Sequence, residues 1–253
     1  MKSATTALIF FIAVFLAASE GTWAEAPVPE NYFAKANAFY QRGEYNKALE
    51  AYQELLPENS GAPIYYNMGN CWFRLNQAGR AIVHYRKALR LDPRNREIQF
   101  NLRYAREKVR DEIENKKGTG ALEILFFGQN EWTWRENVAV AAGLYALLMV
   151  MATLRFFRRF DHQGLYLAAV GVLFLLCASS SGWKLYQDRF VQEGAIVHAE
   201  AEVHSAADAG SVVLFKLHDG AEFEVLSQQG EWVQIELRDR KKGWVPRHFT
   251  EFI

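Results

Sequence analysis

The residue types that most often carry chemistry are few and scattered in this chain of 253 residues. The sequence has no Gly-rich phosphate loop, no Gly-x-Ser-x-Gly turn and no His-Glu-x-x-His motif. His198 and His204 are close enough along one strand to meet a metal, although isolated surface histidines are the commoner situation. Cys71 lies in a polar helical segment and Cys177 in a long apolar one. We expect no disulfide between them, because a disulfide needs Cα atoms within about 7 Å. We therefore predict a protein that binds rather than catalyses: not an enzyme, with no metal and no cofactor.

Asparagine and aromatic side chains that recur after 33 residues are the clearest candidate binding groups. The sequence Asn-Ala-Phe-Tyr at 37–40 aligns with Asn-Cys-Trp-Phe at 70–73. An amide side chain offers both a donor and an acceptor, so Asn37 and Asn70 are suited to hold the backbone of an extended peptide. The neighbouring aromatics line the same predicted face, but each could equally serve only to pack one helix against the next.

The elements that position these groups resemble the tetratricopeptide repeat (TPR). The second copy has Gly69, Trp72, Ala81, Tyr85 and Pro93 at the family's offsets. Small residues let two antiparallel helices approach closely, and large ones fill the gaps beside them. The resemblance covers residues 29–117 and implies two helical pairs followed by a polar capping helix from Arg96 to about Asn115.

The TPR resemblance also implies a concave peptide-binding face, lined by the first helix of each pair. The clamp for a terminal carboxylate that some TPRs carry is not expected, because Phe33, Glu97 and Asn101 stand where its basic residues would be. The predicted peptide-binding residues are Phe33, Asn37, Tyr40, Tyr66, Asn70, Phe73 and Phe100.

The C-terminal residues 190–253 change to a strand-like period. Short apolar runs at 212–215, 222–226 and 232–237 are separated by glycines, which predicts a small all-β barrel. Glu-Trp-Val at 231–233 and Gly-Trp-Val-Pro at 243–246 resemble the bacterial SH3-like family. That resemblance implies either an adaptor role or binding of cell-wall peptides. The predicted groove residues are Trp232, Trp244, Pro246 and Phe249.

Two uncharged apolar stretches separate these domains and predict a transmembrane helical hairpin in the lipid bilayer. A linker at 118–136 leads to the first helix, 137–157, and the loop 158–163 precedes the second, 164–183. Arginines at the loop indicate that it is cytoplasmic. Residues 1–24 read as a signal peptide, with an uncleaved anchor as the alternative. A buried hairpin of a soluble domain is the alternative for the apolar helices. We expect a two-pass protein of the bacterial inner membrane with both soluble domains periplasmic.

Charge is balanced over the whole chain but not within its parts. The sequence has 29 basic and 29 acidic residues, which does not favour a nucleic-acid partner. Residues 25–120 carry 16 basic and 12 acidic side chains, whereas residues 184–253 carry 8 and 12. The fold class is therefore mixed and multidomain: α-helical TPR hairpins, a transmembrane hairpin and an SH3-like barrel with an acidic excess.

This order of domains resembles the BatE-type proteins of bacterial aerotolerance (Bat) operons. The TPR residues, the sequence Asn-Leu-Arg-Tyr-Ala at 101–105 and the following hairpin carry the resemblance. It implies an interaction scaffold for oxidative or envelope stress tolerance. The implied protein partners are membrane proteins of the von Willebrand factor A type and a MoxR-type ATPase. The alternative is a sensor or tether whose SH3-like domain holds peptidoglycan.

Overall fold

The computed structural model describes residues 30–56, 61–111, 134–157 and 163–253. The predicted signal peptide lies outside these ranges, as do most of the predicted linker and nearly all of the predicted cytoplasmic loop. The described chain forms five short helices, two long apolar helices and one β-sheet. We call residues 30–111 the helical domain and residues 193–253 the sheet domain.

The helical domain consists of two helical hairpins and a final helix that packs on the second hairpin. Each hairpin turns through one residue in the left-handed region, Gly43 with φ 78° and Asn76 with φ 58°, and these residues are 33 positions apart. The repeat in sequence is therefore a repeat in backbone geometry. The helices are α1 Glu30–Gln41, α2 Tyr45–Leu55, α3 Ala62–Arg74, α4 Ala78–Leu91 and α5 Arg96–Arg106.

Small residues allow the two helices of the second hairpin to approach closely. A Cβ added at Gly69 would lie 2.6 Å from the ring of Tyr85, so glycine is needed where α3 crosses α4. Ala81 and Ala88 on α4 are fully buried in the same core. Asn95 begins α5 by accepting bonds from the amides of two residues in its first turn. The helix ends at Arg106 rather than near residue 115, because the next residues turn toward the sheet domain.

Two long apolar helices, α6 Trp134–Phe157 and α7 Gln163–Phe190, follow the helical domain. Their apolar windows, Glu136–Leu154 and Gly164–Gln187, each have a mean hydropathy of 1.9 and are long enough to cross a membrane. Neither window is buried within the described chain, which argues against a buried hairpin of a soluble domain. The helices contact each other, for example where the rings of Tyr145 and Phe174 lie 5.7 Å apart.

The sheet domain is one antiparallel sheet of seven strands. The strands are β1 Glu193–Ile196, β2 Glu200–His204, β3 Val213–His218, β4 Glu222–Gln229, β5 Trp232–Glu236, β6 Lys242–Pro246 and β7 Thr250–Phe252. Their order in the sheet is β3-β2-β6-β5-β4-β1-β7. One face of the sheet encloses a single core that includes Val203, Val233, Ile235 and Val245, all fully buried. A 3-10 turn, Arg247–Phe249, joins the last two strands.

The sheet is open, and the predicted closed barrel is wrong in this respect. Two bulges, at Val203/His204 and at Val225/Ser227, increase the twist so that the sheet curls around its core. The end strands β3 and β7 nevertheless do not pair with each other. Instead, α4 packs on β1 and β7, so a helix covers the end of the sheet that a barrel would close with another strand.

Candidate peptide-binding surfaces

The two predicted clamp asparagines are already engaged within the helical domain. Asn37 Oδ1 accepts a hydrogen bond of 2.5 Å from the Tyr52 hydroxyl, and Asn70 Oδ1 accepts one of 2.7 Å from the Tyr85 hydroxyl. Burial raises the pKa of both tyrosines, so both hydroxyls remain protonated donors. These repeat-related bonds tie the first helix of each hairpin to the second. The asparagines thus connect the two helices of each hairpin. A peptide bound at the predicted concave face would have to share their oxygen atoms with the tyrosines.

A polar network crosses from α3 to α5 on the same face. The Tyr66 hydroxyl donates to Glu97 Oε1 at 2.7 Å and accepts from Asn101 Nδ2 at 2.9 Å. Burial and the bond to Glu97 raise the pKa of Tyr66 to about 12. Asn101 Nδ2 also reaches Asn70 Oδ1 at 3.2 Å. Glu97 and Asn101, which replace the basic residues of a carboxylate clamp, therefore hold neighbouring helices in register.

Aromatic side chains of α3 and α5 lie together on the face that the sequence predicts to bind peptides. The ring of Phe73 is 5.4 Å from that of Tyr104, which stacks in parallel with Phe100 at 6.5 Å. Phe100 is 58% exposed and Tyr104 is 43% exposed. We call Phe73, Phe100 and Tyr104 the aromatic strip. The sequence prediction included its first two members but missed Tyr104, which follows Phe100 by one helical turn.

The predicted binding residues on α1 have a different environment. Phe33 packs edge-on against Tyr52 with ring centres 5.8 Å apart, and Tyr40 packs in the same way against Tyr45 at 5.3 Å. Both belong to the periphery of the first hairpin's core. They are half-buried, so packing explains most of their surface, and the accessible aromatic area is concentrated near α5.

In the sheet domain, three of the four predicted groove residues share one face. Trp232 pairs across the strands with Pro246, and Trp244 lies two positions before Pro246 on the same side of the sheet. The Trp232 ring meets His204 edge-on at 5.1 Å, a contact that the sequence prediction missed. Phe249 lies apart from this group, with its ring 4.6 Å from His198.

An ion cluster joins the helical and sheet domains. Arg106 binds Glu222 through two hydrogen bonds of 2.6 and 2.8 Å, and Arg86 binds the same carboxylate at 2.8 Å and also pairs with Glu193. Burial would raise the pKa of Glu222, but Arg106, Arg86 and Arg238, the last from the sheet domain itself at 3.6 Å, outweigh it and lower the pKa to about 2. We call Arg86, Arg106, Glu193 and Glu222 the interface cluster.

Backbone contacts make the docking of the two domains specific. Asp219, in the turn after β3, accepts a bond of 3.1 Å from the Gly79 amide in the first turn of α4. A Cβ added at Gly79 would lie 2.0 Å from the carbonyl oxygen of Ile196. On the other side, Asp111 accepts a bond of 2.6 Å from the His218 amide. Each domain therefore supplies a carboxylate to the backbone of the other.

The β7 strand adds a second group of ionic contacts. Glu251 faces Arg80 at 3.8 Å and Lys87 at 4.0 Å, and Arg90 donates to the carbonyl oxygen of Ile253 at 2.9 Å. Burial raises the pKa of Glu251 and lowers that of His84, beside it, to about 4. The basic excess of the first domain and the acidic excess of the second thus meet along α4.

Comparisons with known families agree with both halves of this architecture. Residues 62–95 match the family model of the tetratricopeptide repeat, which spans α3, α4 and the turn before α5. Residues 199–251 match the bacterial SH3 domain, which covers β2 through most of β7. No curated protein matches the chain. The helical domain thus contains a tetratricopeptide repeat, and a bacterial SH3 domain is docked against it.

Proposed function

We propose that the chain is a membrane-anchored scaffold that binds a protein segment along the concave face of its helical domain. The observation that carries this proposal is the aromatic strip, which exposes large apolar surface on the side of the repeat where TPR domains bind peptides. Exposed aromatic residues contribute strongly to protein interfaces because they combine large area with few rotatable bonds. The hydrogen-bonded tyrosines and asparagines behind the strip hold it in place.

The docked domains support a topology in which both lie on the same side of the membrane. Ion pairs connect residues before α6 with residues after α7, and two spans return the chain to the side from which it entered. We place both domains in the periplasm and both spans in a bacterial inner membrane. The arginines in the loop and the apolar N-terminus of the sequence support this orientation.

The scaffold is proposed to act without catalysis and without a cofactor, as part of a Bat-type complex. Its partners would be membrane proteins of the von Willebrand factor A type, and its role would be tolerance of oxidative or envelope stress. This part of the proposal rests on the order of the domains and on the 101–105 sequence. The neighbouring genes provide a direct check, because genes for such proteins and for a MoxR-type ATPase are expected beside this one.

Site-specific photo-crosslinking in native membranes tests the scaffold function. A photoreactive phenylalanine analogue at Phe73 or Phe100 should trap a discrete protein partner upon irradiation. The matched control is the same analogue at Glu50, an exposed position on α2, which should trap nothing of that mass. Adducts with lipid alone, or equal adducts from the control position, would contradict the proposal.

A second candidate function is cell-wall binding through the sheet domain. The observation that favours it is the match to the bacterial SH3 domain, together with the outward face formed by Trp232, Trp244 and Pro246. In the described part of the chain, the contacts between domains involve none of these three residues. The full chain in detergent should co-sediment with purified sacculi and lose this ability in Trp232→Ala. Lack of sedimentation by the wild-type chain would eliminate this candidate.

A further inference from the structure

The docked domains form a cleft that neither domain has alone. It has a volume of about 530 Å³ and is partly open to solvent. Phe73 and Tyr104 of the aromatic strip line the side formed by the helical domain, and Ala199 and His218 line the side formed by the sheet domain. The cleft therefore begins where the concave face ends.

Two cationic side chains line this cleft. Lys108 and Arg110 line it, are exposed, and make no ion pair with a carboxylate in the described part of the chain. Lys108 instead lies over the ring of Tyr104, with its Nζ 5.2 Å from the ring centre. Glu200 interacts electrostatically with Arg110, but its carboxylate is hydrogen-bonded to Lys216 at 2.6 Å. The two cations are thus available to an incoming anion.

The acidic side chains around the cleft, Asp219 and Asp111, form hydrogen bonds within the protein. Asp219 lines the cleft, but its carboxylate accepts the Gly79 amide. Asp111 binds both the amide and the ring nitrogen of His218, the latter at 2.8 Å. These bonds turn the carboxylate oxygens toward the protein but leave them charged, so the attraction of an acidic ligand depends on Lys108 and Arg110. Among the residues that the structure describes, an aromatic wall stands next to two cations that make no ion pair.

We propose that the cleft binds a segment of a partner protein in which an aromatic or aliphatic side chain is followed by carboxylates. The apolar side chain contacts Phe73 and Tyr104, and the carboxylates face Lys108 and Arg110. An extended peptide fits better than an enclosed small molecule, because the cleft is open and continues into the concave face. This inference rests on the proposed scaffold function and specifies the chemistry of its partner. It also gives the SH3 domain a role as one wall of the site.

Selection of peptides by the full chain tests this inference. The probe is a random library of twelve-residue peptides, displayed and selected on the wild-type protein in lipid nanodiscs. The selected peptides should combine an aromatic or aliphatic residue with neighbouring aspartate or glutamate. The double variant Lys108→Glu/Arg110→Glu should bind these peptides about tenfold more weakly, since two exposed charge pairs become repulsive. Raising the salt concentration should weaken wild-type binding in the same direction.

Two further variants distinguish the cleft from the rest of the groove. Ala199→Trp fills the cleft from the sheet domain and should reduce binding, whereas Ala199→Ser should not. Lys35→Glu, a charge reversal at an exposed site on α1, is the control for nonspecific electrostatics. Hydrogen exchange at the first turn of α4 shows whether each variant remains docked, and a variant that undocks is replaced by Ala199→Phe.

The outcomes separate failure of this inference from failure of the scaffold function. Selected peptides that bind the cleft variants normally but bind Phe100→Ala more weakly would support the proposed site on the concave face. The same result would overturn the proposed site in the cleft between the domains. Selected peptides without acidic residues would overturn the proposed ligand chemistry. No selected sequence family at all would count against both proposals. A dimer of this chain that is lost in the Lys108→Glu/Arg110→Glu variant would overturn the assignment to a different partner.

Discussion

Replacing Glu222 by glutamine should release the SH3 domain from the helical domain. The change preserves the size of the side chain but removes the charge that binds both Arg86 and Arg106. Only 13% of the Glu222 side chain is exposed, so solvent screens these contacts weakly. Because Arg106, Arg86 and Arg238 together lower the pKa of Glu222 from 4.5 to about 2, they stabilise its charged form by about 3 kcal/mol. Arg238 belongs to the sheet domain and keeps its share of this energy after undocking, so about 3 kcal/mol is the upper bound for the docking contribution. Breaking a buried ion pair typically costs about 3–5 kcal/mol. The low end applies here, because Arg86 keeps Glu193 as a partner.

Hydrogen exchange followed by mass spectrometry measures this cost where the two domains meet. The amides of Gly79 and His218 are bonded to carboxylates of the opposite domain, so their exchange requires undocking. A loss of up to about 3 kcal/mol predicts exchange up to about 150-fold faster in Glu222→Gln at neutral pH. The matched control is Glu236→Gln, which removes a carboxylate whose recorded basic partners, Arg240 and Lys242, lie within the sheet domain.

The pH dependence provides an independent check of the same reasoning. The pKa of Glu222 is lower in the docked chain than in the free side chain, so its contribution is complete above about pH 4.5 and disappears toward pH 2. The difference between the wild type and Glu222→Gln should therefore shrink as the pH falls through that window. Wild-type and variant exchange within threefold of each other at pH 7, or equal acceleration in Glu236→Gln, would refute the role assigned to the cluster.

Three other substitutions or reactions test separate contacts. Gly79→Ala should also undock the domains, because the added methyl group would overlap a backbone oxygen of β1. The control Gly182→Ala adds a methyl group where there is open space and should leave the domains docked. Hydrogen exchange at the first turn of α4 distinguishes the two outcomes. Cys71 is buried with its pKa raised to about 12, so a thiol reagent at pH 8 should label it only after denaturation. Peptide mapping separates it from Cys177, and prompt labelling of Cys71 itself in the folded chain would contradict its burial. Tyr85→Phe removes the hydroxyl bonded to Asn70 and should cost about 1 kcal/mol in thermal unfolding. An unchanged melting temperature would show that this bond contributes nothing to stability.

The helical hairpins and the buried sides of the strands were predictable, because the residues that determine them lie close together in the sequence. The small and large residues at 69, 81 and 85 recur at fixed spacing, and their packing partners lie within one hairpin. The alternation along 232–237 likewise indicates which side of a strand is buried. It does not indicate which strand pairs with which, and for that reason the open sheet differs from the expected barrel. Closure depends on the edge strands, where α4 takes the place of a strand pair.

The docking of the domains could not be predicted from the local patterns. Arg106 and Glu222 are separated by 116 residues, and nothing in their immediate sequence marks them as partners. The visible signal was the opposite charge excess of the two soluble segments, which gives complementarity but not register. The sequence also placed Asn37 and Asn70 on the concave face. It did not reveal that tyrosines fifteen residues later would bind their oxygens, because that depends on how the two helices cross.

The junction between α7 and the SH3 domain limits how far the binding surfaces can travel. Helix α7 ends at Phe190 and β1 begins at Glu193, so two residues connect them. A chain of this length spans no more than about 11 Å. In the proposed arrangement the SH3 domain is therefore tethered close to the bilayer surface, and the helical domain docked on it shares that confinement. A partner that arrives by diffusing in the same membrane searches two dimensions instead of three. A soluble partner must instead reach the membrane surface with a flexible segment. A pulling force on that segment would act on the ion pairs along α4.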